Sequence, residues 1–207
     1  MDLVIVGAGG FAREIETWLP EVFPAETYRL KGFLGRATDS SPAVLADPCD
    51  YSPTASDRFI LAIGDLDVRQ NVIDSLESKG AQFINFVHPT SCIAPTTRIG
   101  RGAVIYPFAV TSNGAKVGNF VHLSLYASVG HDAATGDNCY LAPYATLNGE
   151  ARIGDNVLVG SHVTVASRVT VGGNSRVSAN SAVMRDAPEH SIVFGVPGKS
   201  APRIEEA

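Results

Sequence analysis

A six-residue period runs without interruption from residue 93 to residue 188, and it constrains the fold of this 207-residue chain more than any other feature. Sixteen repeats occupy the segment. Fourteen leading positions are aliphatic and the other two are threonine: Ile93, Ile99, Ile105, Thr111, Val117, Leu123, Val129, Thr135, Leu141, Leu147, Ile153, Val159, Val165, Val171, Val177 and Val183. The residue four positions after each leader is small or β-branched. The period therefore predicts a solenoid of short, stacked units.

The predicted solenoid is a parallel β-helix with three flat faces. Each leading side chain points into a narrow interior, and three repeats complete a coil, so residues eighteen apart stack. Glycine is common directly after the leading residue, where we expect it to supply the dihedral angles of a corner. Cys139 falls at a small inward position, which favours packing over a nucleophilic role.

Residues 1–88 show a different pattern, typical of a Rossmann-like α/β domain with a parallel sheet. Apolar segments predict strands at 3–6, 30–34, 59–64 and 83–87, and helices at 11–19 and 66–79. We expect Pro20 to end the first helix, and Val68, Val72, Ile73 and Leu76 to form one apolar stripe on the second. The Pro-, Ser- and Asp-rich stretch 38–56 is interpreted as loop. The chain thus divides into 1–88 and a β-helix with its tail at 89–207.

The first turn, Gly7-x-Gly9-x-x-Ala12, is a weak form of the dinucleotide fingerprint. Glycines let a ligand approach the backbone, and a helix N-terminus favours an anionic group. A nicotinamide cofactor also needs an acid after the second strand, where this chain has Gly35-Arg36. Phosphate or sugar binding without NAD is therefore favoured. The alternative is that the glycines serve only a tight strand-to-helix turn.

Composition excludes several classes of partner. The net charge is −5 with 18% charged residues and no basic cluster, which disfavours nucleic acid and anionic membranes. Three cysteines without CxxC spacing indicate free thiols in a reducing compartment. No signal peptide is recognised, and no apolar stretch approaches the roughly 18 residues of a membrane span. We expect a soluble, cytoplasmic protein.

The repeats, the α/β domain, the segment Val129-Gly130-His131-Asp132 and the closing Gly195-Val196-Pro197-Gly198-Lys199 together resemble a known family. These features are similar to the sugar O- and N-acyltransferases of the left-handed β-helix (hexapeptide-repeat) superfamily, which include sialic acid O-acetyltransferases and the UDP-4-amino-sugar N-acetyltransferase of bacillosamine synthesis. The resemblance covers essentially the whole chain. It implies a left-handed β-helix in a homotrimer, with N-acetylation of a nucleotide-linked amino sugar by acetyl-CoA in clefts between copies.

The resemblance also implies site residues. His131 is the expected general base and Asp132 its orienting partner, since an imidazole with an ordinary pKa of roughly 6.5 is a neutral base at pH 7. The acceptor-binding residues implied by the family are Gly9, Gly10, Phe11, Gly64, Asp65 and Ser124, and the acetyl-CoA-binding residues are Tyr140, Gly149, Ala179, Gly195 and Pro197. The chain departs from its relatives at Gly35-Arg36, where they have paired acids, and at Phe11 and Tyr140, where they have histidines.

Other interpretations of the sequence remain open. The same base could acetylate a sugar hydroxyl, as in sialic acid modification, or the trimeric β-helix could be a scaffold without chemistry. His131 could also be a solvent-exposed corner residue with no catalytic role. The spacing of His122, His131 and His162 does not match the three-histidine zinc site of β-helix carbonic anhydrases, so no metal is expected.

Overall fold

A computed structural model describes residues 1–36 and 43–203 of the chain. The part of the predicted 38–56 loop that precedes residue 43 lies outside the described residues. The chain separates into two compact units, Met1–His88 and Pro89–Ala207.

The first unit is an α/β fold with a parallel sheet, as predicted. Its elements are β1 (Asp2–Val6), α1 (Gly10–Val22), a 3₁₀ turn (Ala25–Thr27), β2 (Arg29–Leu34), β3 (Val44–Ala46), β4 (Asp57–Leu61), α2 (Leu66–Ser78) and β5 (Phe86–Val87). The main sheet has the order β3-β2-β1-β4, and its pairings are all parallel. The carboxyl ends of the four strands therefore meet at one edge of the sheet.

Two helix predictions were wrong in detail. Pro20 lies inside α1, and the helix continues because the Phe23 N–H donates to the Leu19 carbonyl (2.9 Å) across the proline. Proline has no backbone N–H, so α1 loses only the one hydrogen bond that residue 20 would donate, and near its end the helix tolerates that loss. In α2, Val68 is 51% exposed, whereas Leu66 and Arg69 lie on the buried side instead.

The strand boundaries also differ from the prediction. The predicted loop contains β3, which extends the sheet at its edge by pairing Val44 with Phe33. β4 begins two residues earlier than expected and ends at Leu61, because its register is set by β1 along its full length. The segment 83–87 makes one bridge, from Phe83 to Phe59, before β5.

The second unit is a solenoid of two-residue strands, one in each of the sixteen repeats. These strands are β6 (Cys92–Ile93), β7 (Arg98–Ile99), β8 (Val104–Ile105), β9 (Val110–Thr111), β10 (Lys116–Val117), β11 (His122–Leu123), β12 (Ser128–Val129), β13 (Ala134–Thr135), β14 (Tyr140–Leu141), β15 (Thr146–Leu147), β16 (Arg152–Ile153), β17 (Leu158–Val159), β18 (Thr164–Val165), β19 (Thr170–Val171), β20 (Arg176–Val177) and β21 (Ala182–Val183). A final hairpin, β22 (Ser191–Phe194) and β23 (Lys199–Pro202), adds to the β8 face by pairing β22 with β20.

Three parallel sheets form the faces of the solenoid. The β6 face contains β6, β9, β12, β15, β18 and β21; the β7 face contains β7, β10, β13, β16 and β19; the β8 face contains β8, β11, β14, β17 and β20. Paired residues are eighteen apart, as in Lys116 with Arg98. The predicted three-repeat coil is therefore confirmed.

The interior is filled as the period predicts. From Ile105 onward every leading residue is buried, and so are the small residues four positions later, such as Ala109, Val121 and Val157. Cys139 is fully buried, and its Sγ donates to the Gly154 carbonyl at 3.0 Å. Its assignment to packing is confirmed.

The three corners carry different side chains, and each takes its name from them. The aromatic corner follows the β8 face, and its exposed rings stack at centroid distances of 4.7 to 5.0 Å: Phe108, Tyr126, Tyr144 and His162. The histidine corner follows the β6 face and contains His131. The glycine corner follows the β7 face and carries an unbroken column: Gly100, Gly118, Gly136, Gly154 and Gly172.

The reason for these corner glycines is not the predicted one. Positive φ angles occur three positions after the leading residue, as in Tyr126 (59°) and Asn156 (58°), whereas none is recorded for the glycine column. A Cβ on any of the five column glycines would instead lie at most 2.6 Å from a backbone atom of the next coil. Glycine is required because the coils approach closely at this corner.

We predict that Gly136→Ala lowers the free energy of unfolding by about 2 kcal/mol, because the added methyl group overpacks the contact between coils. Gly64→Ala is the control, since a Cβ there meets nothing within 4 Å, and its effect should stay within about 0.5 kcal/mol. Chemical denaturation followed by circular dichroism measures both. Equal stability of the two variants would contradict this explanation of the glycine column.

Candidate active site

His131 and Asp132 lie side by side at the histidine corner. The Nδ1 atom of His131 is 3.1 Å from Oδ2 of Asp132, and both side chains are more than half exposed. Asp132 occupies the left-handed position of the turn (φ 58°), which aspartate tolerates better than most residues. Its N–H donates to the carbonyl of Asn113 one coil earlier (2.9 Å). The turn thus fixes the backbone from which the pair extends.

Two glycines leave room for this pair on the neighbouring coils. Gly149 stacks on His131, and a Cβ there would overlap the imidazole at Nε2. Gly114 stacks on Asp132, and a Cβ there would overlap Oδ1. Both glycines are eighteen residues from the side chain that they accommodate. Sequence reasoning assigned Gly149 to the coenzyme and missed Gly114, although the eighteen-residue stacking rule was sufficient to find both contacts.

The arrangement suits proton transfer. A carboxylate beside Nδ1 accepts a hydrogen bond from Nδ1–H and so fixes the tautomer in which Nε2 carries the basic lone pair. Nε2 lies on the Gly149 side of the ring, away from Asp132. The pair can therefore accept a proton at Nε2 while Asp132 stabilises the resulting imidazolium.

The other β-helix residues implied by the resemblance lie elsewhere on the coils. Ser124, which is buried, and Ala179, which is exposed, belong to the aromatic corner. Tyr140 is on the β8 face, where its ring packs on His122 at 4.7 Å. Neighbouring corners are one six-residue repeat apart. Within one chain, the aromatic corner therefore lies roughly 15–20 Å from His131, which is the width of one face.

The tail residues Gly195 and Pro197 follow β22, and Gly195 bonds to the start of β21. The Gly195 N–H donates to Oγ of Ser181 at 3.1 Å, and its carbonyl accepts from the Ala182 N–H at 3.0 Å. The predicted coenzyme residues therefore lie on the β8 face (Tyr140), at the aromatic corner (Ala179) and in the tail (Gly195 and Pro197), whereas Gly149 lies against His131.

In the first unit, the predicted acceptor residues occupy the starts of the two helices. Gly9 is the N-cap of α1, with Gly10 and Phe11 in its first turn. Gly64 precedes Asp65, which caps α2 by accepting from the N–H groups of Asp67 (3.0 Å) and Val68 (2.9 Å). The carboxylate of Asp65 is thus engaged in its own helix. The α1 terminus, which begins with two glycines, carries no capping side chain.

A cleft of about 390 Å³ opens at the carboxyl edge of the sheet. It is lined by residues that follow all four strands and by α2: Gly7, Leu34, Gly35, Arg36, Asp47, Pro48, Ile63, Val68 and Val72. Sequence reasoning did not assign Asp47, Pro48 or Val68 to it. The sequence predicted a loop where β3 lies, so Asp47 and Pro48, which follow β3, were missed. It placed Val68 in the core, so its contribution to the cleft was missed as well.

The buried carboxylate of Asp57 anchors the segment 48–56, which connects the cleft to β4. Asp57 accepts hydrogen bonds from Lys31 Nζ (2.8 Å), Tyr51 OH (2.9 Å) and the Thr54 N–H (2.9 Å). Burial acts to raise the pKa of Asp57, but the hydrogen bonds from Lys31, Thr54 and Tyr51 prevail and hold that pKa below its usual value. The segment is therefore fastened to β2 and β4 by an ionised group.

Residues 1–36 and 43–203 contain neither a metal-binding cluster nor a membrane-spanning helix. No cluster of three or more His, Cys, Asp or Glu side chains there has an arrangement that could hold a metal ion. No helix within the same residues is long and apolar enough to cross a membrane.

The chain is similar in sequence to one curated protein. No protein-family model matches the chain. GDP-perosamine N-acetyltransferase from Escherichia coli O157:H7 is 34% identical over 76 residues, which is 37% of this chain. That match spans about a third (34%) of the E. coli protein.

Solved structures match over nearly the whole length. PerB from Caulobacter crescentus, in complex with CoA and GDP-perosamine, is 26% identical with a TM-score of 0.87, and the match covers 97% of each chain. The acetyltransferase domain of PglB from Neisseria gonorrhoeae FA1090, in complex with acetyl coenzyme A, is 24% identical with a TM-score of 0.88, covering 97% of this chain and 98% of that one. The chain is thus similar in sequence to part of GDP-perosamine N-acetyltransferase, and in fold it has the architecture of the left-handed β-helix, hexapeptide-repeat acetyltransferases.

Proposed function

We propose that the chain is an acetyl-CoA-dependent N-acetyltransferase that acts on a nucleotide-linked amino sugar. The observation that carries the proposal is the His131–Asp132 pair, held in hydrogen-bond contact between Gly114 and Gly149 on a β-helix of the acetyltransferase type. An exposed corner histidine without a function needs neither the adjacent carboxylate nor the two accommodating glycines. PerB, solved with CoA and GDP-perosamine, supports the choice of donor and acceptor.

The reaction needs one base and no covalent intermediate on the protein. The sugar amine attacks the thioester carbonyl of acetyl-CoA, forming the C–N bond, and Nε2 of His131 takes the proton that the amine loses. Asp132 stabilises the imidazolium through Nδ1–H. The C–S bond then breaks, and the proton is returned to the departing thiolate, so the products are the amide and CoA.

The acceptor site belongs to the first unit in this proposal. The diphosphate binds at the start of α1, where Gly9 and Gly10 expose backbone N–H groups and the helix dipole favours an anion. Phe11, Gly64 and the backbone near Asp65 lie at the same edge of the sheet. Tyr140, Ala179, Gly195 and Pro197 remain the predicted contacts of acetyl-CoA, and Ser124 a predicted acceptor contact.

The proposed enzyme is a homotrimer, and the separation of these residues within one chain supports a site shared between copies. His131 and Ala179 occupy different corners of one β-helix, whereas two copies packed side by side can bring one corner of each together. The aromatic corner offers Phe108, Tyr126 and Tyr144 for such packing, since each is 45–47% exposed. The proposed site therefore combines His131 of one copy with the aromatic corner of the next. A cytoplasmic location remains a prediction.

We expect His131→Ala to lower kcat for acetyl transfer about 10²- to 10⁴-fold, because the amine loses its proton acceptor. Asp132→Asn should cause a smaller loss. A thiol-release assay over a panel of nucleotide-linked 4-amino sugars measures both, and resistance of the product to mild alkali distinguishes an amide from an ester. The control is His190→Ala, an exposed histidine at the glycine corner. Undiminished turnover in His131→Ala would remove this residue as the base.

Mixed assemblies test whether the site is shared between copies. His131→Ala removes the base, and Ala179→Glu places a carboxylate in the expected path of the coenzyme phosphates, so each variant alone should be inactive. Co-assembled in equal amounts, they should recover about a quarter of native activity, because about a quarter of the interfaces join an intact His131 to an intact Ala179. Differently tagged chains verify co-assembly. An inactive mixture of proven mixed trimers would contradict a shared site.

A further inference from the structure

We infer that Arg168 is a positioning residue of the proposed active site: it draws the Glu150 carboxylate away from His131, so that Asp132 is the carboxylate that contacts the imidazole. This inference rests on the proposed function, since it concerns the base of that reaction. Arg168 acts through Glu150 and not by contact with the sugar or the coenzyme.

A column of turn residues crosses the histidine corner. Gly114, Asp132, Glu150 and Arg168 follow one another at intervals of eighteen residues, and their φ angles are 71°, 58°, 63° and 63°. They therefore occupy the same position on successive coils, which lie about 4.8 Å apart. Asp132 and Glu150 are neighbours in this column, so two carboxylates occur on adjacent coils at the corner that holds His131.

Glu150 lies next to the reactive side of the imidazole. Its N–H donates to the His131 carbonyl (2.8 Å), and it directly follows Gly149, which lies against Nε2 of the ring. A carboxylate turned toward Nε2 would stabilise the imidazolium, which has no lone pair with which to accept a proton. The charge of Glu150 would therefore oppose the base unless it were directed elsewhere.

The two carboxylates lean in opposite directions along the column. Oδ1 of Asp132 lies against Gly114 on the preceding coil, where the missing Cβ leaves room for it. Oε1 of Glu150 accepts from Nε of Arg168 on the following coil at 3.0 Å, and Nη2 of Arg168 lies 3.0 Å from the same oxygen. Gly114 and Arg168 thus separate two like charges that share a corner.

Other charged side chains belong to this corner or to the face beside it. Lys116 and Arg152 are exposed residues of the adjoining β7 face, in β10 and β16. Arg185 and Asp186 follow β21, at the far end of the histidine corner. All four stay unchanged in the variants described below, so those variants isolate the effect of Glu150 and Arg168.

The pH dependence of acetyl transfer by the full chain tests the inference, because the acid limb of kcat/KM reports the base in the free enzyme. Arg168→Ala should move that limb to higher pH by about half a unit, since the freed Glu150 carboxylate favours the imidazolium. Activity on the limb then falls about threefold, whereas the plateau at high pH is retained. High salt should reduce the shift, because both side chains are exposed.

Three further variants separate this role from a structural one. Arg168→Lys keeps the positive charge and should keep the native profile. Glu150→Gln, added to Arg168→Ala, should restore that profile because it removes the freed charge. Arg29→Ala is the matched control: it breaks a similarly exposed ion pair, with Asp2 at 2.9 Å in the first unit, and should leave the profile unchanged. Unfolding midpoints should be close to native in all variants, since exposed ion pairs contribute little stability.

An unmoved acid limb in Arg168→Ala would overturn the positioning role and leave the acetyltransferase proposal standing. So would a loss of activity that is equal at every pH and is not reversed by Glu150→Gln. Absence of acetyl transfer by the native chain would overturn the proposed function and this inference together, so the two failures are distinguishable.

Discussion

Backbone hydrogen bonds between coils, in a register of eighteen residues, support every other feature of the second unit. The Gly130 N–H donates to the Leu147 carbonyl (2.7 Å), and the Glu150 N–H donates to the His131 carbonyl (2.8 Å). Each coil thereby fixes the height and rotation of the next, as expected where stability accumulates through nearest-neighbour contacts. A side chain at a corner is placed by the residues eighteen positions before and after it, so the register that builds the core also positions His131 and Asp132.

The same register explains why glycine appears at corners for two separate reasons. At the glycine corner its absence of a side chain lets whole coils approach, and a Cβ would meet backbone. At Gly114 and Gly149 it leaves space for Asp132 and His131, and a Cβ would meet the ends of flexible side chains. The first use concerns stability and the second concerns the orientation of the proposed base. Gly149→Ala should therefore act on the imidazole alone, whereas at Gly114, where φ is 71°, alanine also strains the backbone.

The strands and the coil length could be predicted from the sequence because a period of six with an aliphatic leader has one simple solution, in which burial and coil pairing agree. The first unit was predicted less completely. Pro20 fits within α1 because it lies near the helix end, and β3 is only three residues long at a sheet edge, so neither has a strong local signal. Asp47 and Val68 could not be assigned to the cleft from sequence, because their positions depend on β3 and on the packing of α2. The His131–Asp132 pair was found through resemblance, whereas the role of its glycine neighbours became clear only from the stacked coils.

The central claim is that coil stacking orients His131 for catalysis, and Gly149→Ala tests it most directly. The added methyl group meets the imidazole rather than backbone, and no positive φ is recorded at this glycine, so the β-helix should form as before. We predict an unchanged circular dichroism spectrum and unfolding midpoint, a displaced His131 ring in the crystal structure, and acetyl transfer reduced about 10²-fold, because small displacements of a reacting group are costly. Native activity with the imidazole displaced would contradict the account.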